Sequence, residues 1–164
     1  KIAYVLITLK FKSSFINSLT GQKALARTSS SPGRTREINL FLINDRLYLL
    51  DLPGYGFTRD SRELKEQLQE LINWYLCVSP YEQKMVVMII DGNVGATNGD
   101  LEMLKVLEER NKDIVIVANK IDKVKSSKYN DRLKEIQASV GSNKVIPYSS
   151  KKRIGLKELA KEIF

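Results

Sequence analysis

The run Ile114-Val115-Ile116-Val117-Ala118 constrains this chain more than any other stretch, because it stops abruptly at Asn119-Lys120-Ile121-Asp122. A short β-branched run ending at polar residues reads as a buried parallel strand that opens on a ligand crevice. The residues after it have the chemistry to recognise guanine. The Asp122 carboxylate can accept hydrogen bonds from both the N1–H and the 2-amino group on one edge of that base. Adenine offers no such donor pair and would leave the carboxylate unpaired, an asymmetry that discriminates strongly. Lys120 can lay its apolar stem along the base face. Asn119 can tie the loop to its neighbours through an amide that both donates and accepts.

Strand and helix signals alternate along the chain. Ile2 to Leu9 is a first strand, and Ser13 and Ser14 supply N-cap chemistry for a short helix over Phe15 to Leu19. Ala24 to Arg34 is rich in Ser, Thr and Arg and contains Pro32-Gly33, a loop signature. Ile38 to Ile43 and Leu47 to Leu50 flank Asn44-Asp45, which predicts an antiparallel hairpin. Pro53-Gly54-Tyr55-Gly56 opens a second loop, after which Leu64, Leu68, Leu71, Ile72, Tyr75 and Leu76 recur at helical spacing. Met85 to Ile90 is a buried strand ending at Asp91, and Leu101, Leu104 and Leu107 mark another helix. A polar helix around Tyr129 to Val140, a short strand Val145-Ile146-Pro147 and an amphipathic stretch from Leu156 to Phe164 complete the chain. Such alternation predicts an α/β fold with a mostly parallel sheet and one antiparallel strand.

At 164 residues the chain is one domain by size. Its opening inside a strand-like segment predicts truncation at the N-terminus, and its apolar runs are too short to span a bilayer. One cysteine rules out an internal disulfide and fits a reducing, cytoplasmic compartment. With no histidine, imidazole catalysis and histidine-ligated metals are excluded. The net charge of +8 fits a generically basic, soluble protein or a surface that meets phosphate backbones. No heptad run points to an obligate oligomer, so a monomer is expected.

Several loops fall at the carboxyl ends of successive strands, where open α/β sheets bind ligands. Asp51 closes a strand before Pro53-Gly54; its carboxylate can hold magnesium through water, and the Gly54 N–H can reach a terminal phosphate. Thr35 can add a hydroxyl to the same ion. Lys12-Ser13 precedes the first helix, placing a lysine and a helix N-terminus toward phosphates and a second hydroxyl toward magnesium. Ser149-Ser150-Lys151 closes over the base side.

This order of motifs resembles the translation-factor-like small GTPases, and more closely the EngB-type (YihA/YsxC) ribosome-biogenesis GTP-binding proteins. The resemblance rests on Ala26-Arg27-Thr28-Ser29, Pro32-Gly33-Arg34-Thr35, Ile38-Asn39, Asp51-Leu52-Pro53-Gly54-Tyr55-Gly56, Asn119-Lys120-Ile121-Asp122 and Ser149-Ser150. It implies a three-layer P-loop NTPase, a Ras-like G domain over residues 1–164 with a six-stranded sheet. It implies GTP or GDP as ligand and Mg2+ held by Ser13, Thr35 and Asp51. Nucleotide contacts carry over to Lys12, Ser13, Ser14, Asp51, Gly54, Asn119, Lys120, Asp122, Ser149, Ser150 and Lys151, and catalytic roles to Lys12, Thr35 and Gly54. The implied role is a switch in maturation of the large ribosomal subunit, linked to cell division, with no membrane contact.

The phosphate loop departs from that family. Its pattern of glycine, four residues, then Gly-Lys-Ser here reads Leu6-Ile7-Thr8-Leu9-Lys10-Phe11-Lys12-Ser13. Glycine serves there because the backbone turns through positive φ and its N–H groups approach the phosphates closely. A bulky residue forced left-handed costs roughly 1–2 kcal/mol. Leu9 also replaces an asparagine that helps potassium-dependent relatives hold a monovalent cation. Three readings stay open: a variant with a weakened phosphate site, a loop on another path (Leu9 to Lys12 alternates like a strand extension), or an error in these letters. Tyr55 stands where many GTPases place a water-orienting glutamine, which predicts slow hydrolysis. The rival from another class is a nucleotide-independent, ribosome-binding module on the same fold.

Bland roles are expected for the rest. Arg34 reads as a solvated loop residue, Trp74 and Tyr75 as packing residues, and Cys77 as a small buried hydrophobe. Asp91 reads as a cap for the turn after its strand, and Lys120, Lys123, Lys125 and Lys128 as a solvated face.

Overall fold

A computed structural model describes residues 2–8, 12–22, 39–43, 45, 47–52, 62–78 and 83–163. Strands β1 (Ile2–Thr8), β2 (Asn39–Ile43), β3 (Leu47–Asp51), β4 (Gln83–Asp91), β5 (Ile114–Asn119) and β6 (Lys144–Pro147) form a sheet in the order β2-β3-β1-β4-β5-β6. Only β2 pairs antiparallel, through the hairpin with β3; the other pairings are parallel. The helices are α1 (Lys12–Thr20), α2 (Arg62–Asn73), α3 (Asn98–Glu109), α4 (Tyr129–Ser139) and α5 (Leu156–Ile163).

The alternation of side chains across each strand explains why β4 and β5 are continuous apolar runs. Val86, Met88 and Ile90 with Ile114, Ile116 and Ala118 join Ile72 on α2, Leu104 and Leu107 on α3, and Ile136 on α4 in one core. The intervening Val87, Ile89, Val115 and Val117 pack instead with Phe15 and Ile16 of α1 and with Leu159 and Ile163 of α5. Each fully buried side chain of this size contributes about 1.5–3 kcal/mol, so both faces of the sheet must be covered. α3 starts cleanly because Thr97 and Asp100 form a reciprocal capping box.

Two local expectations are corrected. α1 begins at Lys12, so Ser13 and Ser14 lie inside its first turn rather than capping it. Tyr75 is buried as expected, but Trp74 is 46% exposed: Ile72, Tyr75 and Leu76 carry the buried face into the π-helical turn over Trp74–Val78, and Trp74 falls outside it. Cys77 lies in that turn.

Tyr148, fully buried after β6, ties the end of that strand to α1 on one face of the sheet. Its hydroxyl and that of Ser18 on α1 are 2.9 Å apart, and its ring lies 5.1 Å from that of Phe15. Burial raises the phenol pKa above its usual value, opposed by the Ser18 hydrogen bond and the Arg153 charge. The unfolded chain therefore gives up this proton first. Stability from the neutral phenol is full below about pH 10 and is lost as pH rises through the higher folded-state pKa. Tyr148→Phe is expected to lower stability by about 1 kcal/mol at neutral pH and to remove part of the alkaline loss. Urea midpoints at about pH 8 and about pH 11 measure both effects.

Candidate nucleotide site

Because β3, β1, β4, β5 and β6 run parallel, Asp51, Asp91, Asn119 and the segment after Pro147 share one edge of the sheet. Asn119, buried at the end of β5, is the hub of the base corner. Its Oδ1 accepts from the Lys120 N–H at 2.8 Å and from both the N–H and hydroxyl of Ser150 at 3.2 Å. One amide oxygen thus holds together two loops that are 31 residues apart in sequence.

Lys120 adopts φ 62, a left-handed conformation that costs a non-glycine residue about 1–2 kcal/mol. Its neighbours offset that cost. Lys120 Nζ pairs with Asp91 Oδ2 at 2.8 Å, largely shielded from solvent, and the Lys120 carbonyl accepts from the Lys123 N–H. Asp91 sits beside Asn119 in the β4–β5 register, and its other oxygen accepts from the Asn93 N–H at 3.0 Å. It therefore caps the following turn, as expected, and also positions the lysine. Strand-end carboxylates that cap turns are common enough that only the register reveals the second role.

Asp122 is held from the opposite side. The buried Ser149 hydroxyl donates to its Oδ1 at 2.6 Å and accepts from the Lys152 N–H at 3.0 Å. The Ile121 N–H donates to the Tyr148 carbonyl, locking the strand end of β5 to that of β6. A carboxylate fixed in this way has a defined hydrogen-bonding edge, which a base-recognising group needs.

Two glycines let these loops approach. A Cβ on Gly92 would lie 2.9 Å from the Asn119 carbonyl oxygen, to which the Gly92 N–H donates. Gly155 has φ +74, and a Cβ there would fall 2.1 Å from the Pro147 carbonyl oxygen. Gly155→Ala combines left-handed strain with a backbone clash and is expected to cost roughly 3 kcal/mol, about 6–12 °C in Tm for a chain this long. A thermal melt beside the wild type reads the loss.

The expected site residues divide in two. Asn119, Lys120, Asp122, Ser149 and Ser150 come together, with Lys151 exposed in the next turn. On the phosphate side, Asp51 is buried at the end of β3 in register with Leu6, and Lys12 and Ser13 open α1, with Ser14 exposed behind them. β1 continues to Thr8, so Leu6 is a strand residue paired with Asp51 and Val87. Thr35 and Gly54, like Arg34 and Tyr55, lie outside the described residues. A buried carboxylate at a strand end, such as Asp51, is the hard-oxygen ligand type that suits magnesium. Tyr148 and Gly155 were missed by sequence reasoning; the one available signal was a glycine after a basic turn.

The chain resembles known GTP-binding proteins throughout. A family model described as 50S ribosome-binding GTPase matches residues 12–120, and the elongation factor Tu GTP-binding domain matches 81–164. The "Probable GTP-binding protein EngB" of Natranaerobius thermophilus is 40% identical over 151 residues, 90% of this chain and 78% of that protein. A crystal structure of a probable GTP-binding protein engB superposes with a TM-score of 0.81 over 99% of this chain and 96% of the other at 20% identity, a likeness of fold. Era, solved with MgGDPNP and a segment of 16S ribosomal RNA, aligns at 25% identity with a TM-score of 0.75, over 99% of this chain and 54% of Era.

Proposed function

Because the chain belongs to the EngB family of P-loop GTP-binding proteins, we propose that it is a magnesium-dependent guanine-nucleotide switch in assembly of the large ribosomal subunit. In this reading residues 1–164 are one three-layer, Ras-like G domain with a six-stranded sheet, cytoplasmic and monomeric, linked through ribosome assembly to cell division. Ser13, Thr35 and Asp51 hold the ion, which screens phosphate charge when bound. Lys12 and the start of α1 face the phosphates, and the Gly54 N–H meets the terminal one. Thr28 to Thr35 and Gly54 to Arg62 order around the terminal phosphate and release after hydrolysis. With Tyr55 in place of a water-orienting glutamine, turnover is slow and awaits a partner.

The observation that carries this reading is the assembled base corner. Asn119 is tied to Ser150 and Asp122 to Ser149, which leaves a built carboxylate edge for guanine. Among the described residues no helix is long and apolar enough to cross a membrane.

Calorimetry and thermal melts with GDP and with ATP test the reading. GDP at a hundred times its Kd should add about 2.7 kcal/mol, roughly 5–10 °C in Tm, while ATP adds nothing. Equal shifts with both nucleotides, or none with either, would sink it.

A further inference from the structure

Tyr148 is built into both ends of the candidate site. Its backbone belongs to the base corner: the Tyr148 N–H donates to the Ala118 carbonyl at 2.9 Å, and its own carbonyl accepts from the Ile121 N–H at 3.0 Å. The next residue, Ser149, donates to Asp122. The side chain runs the other way, to α1, where its hydroxyl lies 2.9 Å from that of Ser18 and its ring 5.1 Å from that of Phe15. Lys12 and Ser13 open the same helix, little more than one turn before Ser18. Tyr148 is the largest fully buried side chain among the described residues, and Ser18 is buried too. Packing alone does not call for two hydroxyls there. A buried polar pair replaced by apolar groups of the same shape leaves stability nearly unchanged. A buried hydrogen bond instead fixes direction and register between the elements it joins.

We propose that Tyr148 is a positioning residue for the nucleotide, a strut from the base corner to α1 that fixes the spacing between the Asp122 carboxylate and the helix end opened by Lys12 and Ser13. The inference rests on the nucleotide reading above and adds to it the coupling of the two ends. A nucleoside diphosphate carries its base and its phosphates on one covalent frame. Each end strengthens the hold on the other only while the protein keeps the matching distance, as in any linked pair of binding sites. The sheet sets that distance only indirectly. α1 follows β1 and the corner follows β5 and β6, and β4 and β5 stand between β1 and β6. The Tyr148–Ser18 bond crosses the gap in one step.

The test compares wild type with Tyr148→Phe, Ser18→Ala and the double variant. Ile163→Val is the control, because it trims the same core without touching the strut. In Tyr148→Phe the Ser18 hydroxyl falls back on a carbonyl of its own helix, so the variant folds. Displacement of a fluorescent GDP by GDP and by guanosine measures what the phosphates add to the base. The ratio of guanosine Kd to GDP Kd should fall about 5- to 10-fold in both single variants and in the double variant. The double variant should melt closer to wild type than Ser18→Ala does, so its lower ratio reports lost positioning rather than lost stability. Amide exchange without nucleotide gives an independent readout. The Ile121 and Tyr148 N–H groups should exchange about 5-fold faster in the double variant than in wild type. An unchanged Kd ratio in the double variant, or an equal fall in Ile163→Val, would overturn the proposal. If wild type binds no GDP, the nucleotide switch fails and exchange alone decides: unchanged protection of Ile121 and Tyr148 in the double variant overturns the strut.

Discussion

Asp122→Asn is expected to weaken GDP binding at least about a hundredfold and to create affinity for xanthosine diphosphate. In the proposed base pose the carboxylate accepts from both guanine donors, and Ser149 at 2.6 Å fixes its orientation. Asparagine keeps one acceptor and turns the other into a donor, so an NH2 group faces the 2-amino group of guanine. Leaving such donors unpaired in a shielded site costs about 3 kcal/mol, which is about a hundredfold in affinity. Xanthine carries a carbonyl where guanine carries the amino group and accepts what asparagine newly donates. The Ser149 hydroxyl can still donate to the remaining carbonyl oxygen, so the corner itself survives. Calorimetry with both diphosphates measures the inversion; unchanged GDP affinity would remove Asp122 from base recognition.

The base corner could be read from sequence because its signals are local. Five β-branched or small residues followed by Asn-Lys-Ile-Asp specify both the strand and the chemistry at its end. The strand pairings, by contrast, decide which distant groups complete it. Asp91 has no sequence signal for Lys120; it reaches the lysine only because β4 and β5 end in register at Asp91 and Asn119. Tyr148 and Ser18 are 130 residues apart, and neither is unusual in its own segment. Trp74 lies off the helical repeat: Ile72, Tyr75 and Leu76 stay buried at that spacing into the π-helical turn, and Trp74 between them faces out.

Restoring glycine at positions 6 and 11 is expected to raise GDP affinity by about a hundredfold. Lys12 and Ser13 already open α1, Asp51 is buried beside the end of β1, and the base corner is complete. The family pattern there is a glycine backbone that brings its N–H groups onto the phosphates; this chain has Leu6, a β1 residue, and Phe11 at those positions. Relieving about 3 kcal/mol corresponds to a little over a hundredfold in Kd. The gain must exceed a local loss, because Leu6 is paired between Asp51 and Val87 and a glycine within a strand costs about 0.5–1 kcal/mol. Leu6→Gly/Phe11→Gly should therefore melt slightly below wild type without nucleotide and well above it at saturating GDP. Single variants separate the two positions: Phe11→Gly should supply most of the gain, since position 6 lies within β1. If GDP affinity does not move in the double variant, the segment from Thr8 to Lys12 does not follow a phosphate-wrapping path.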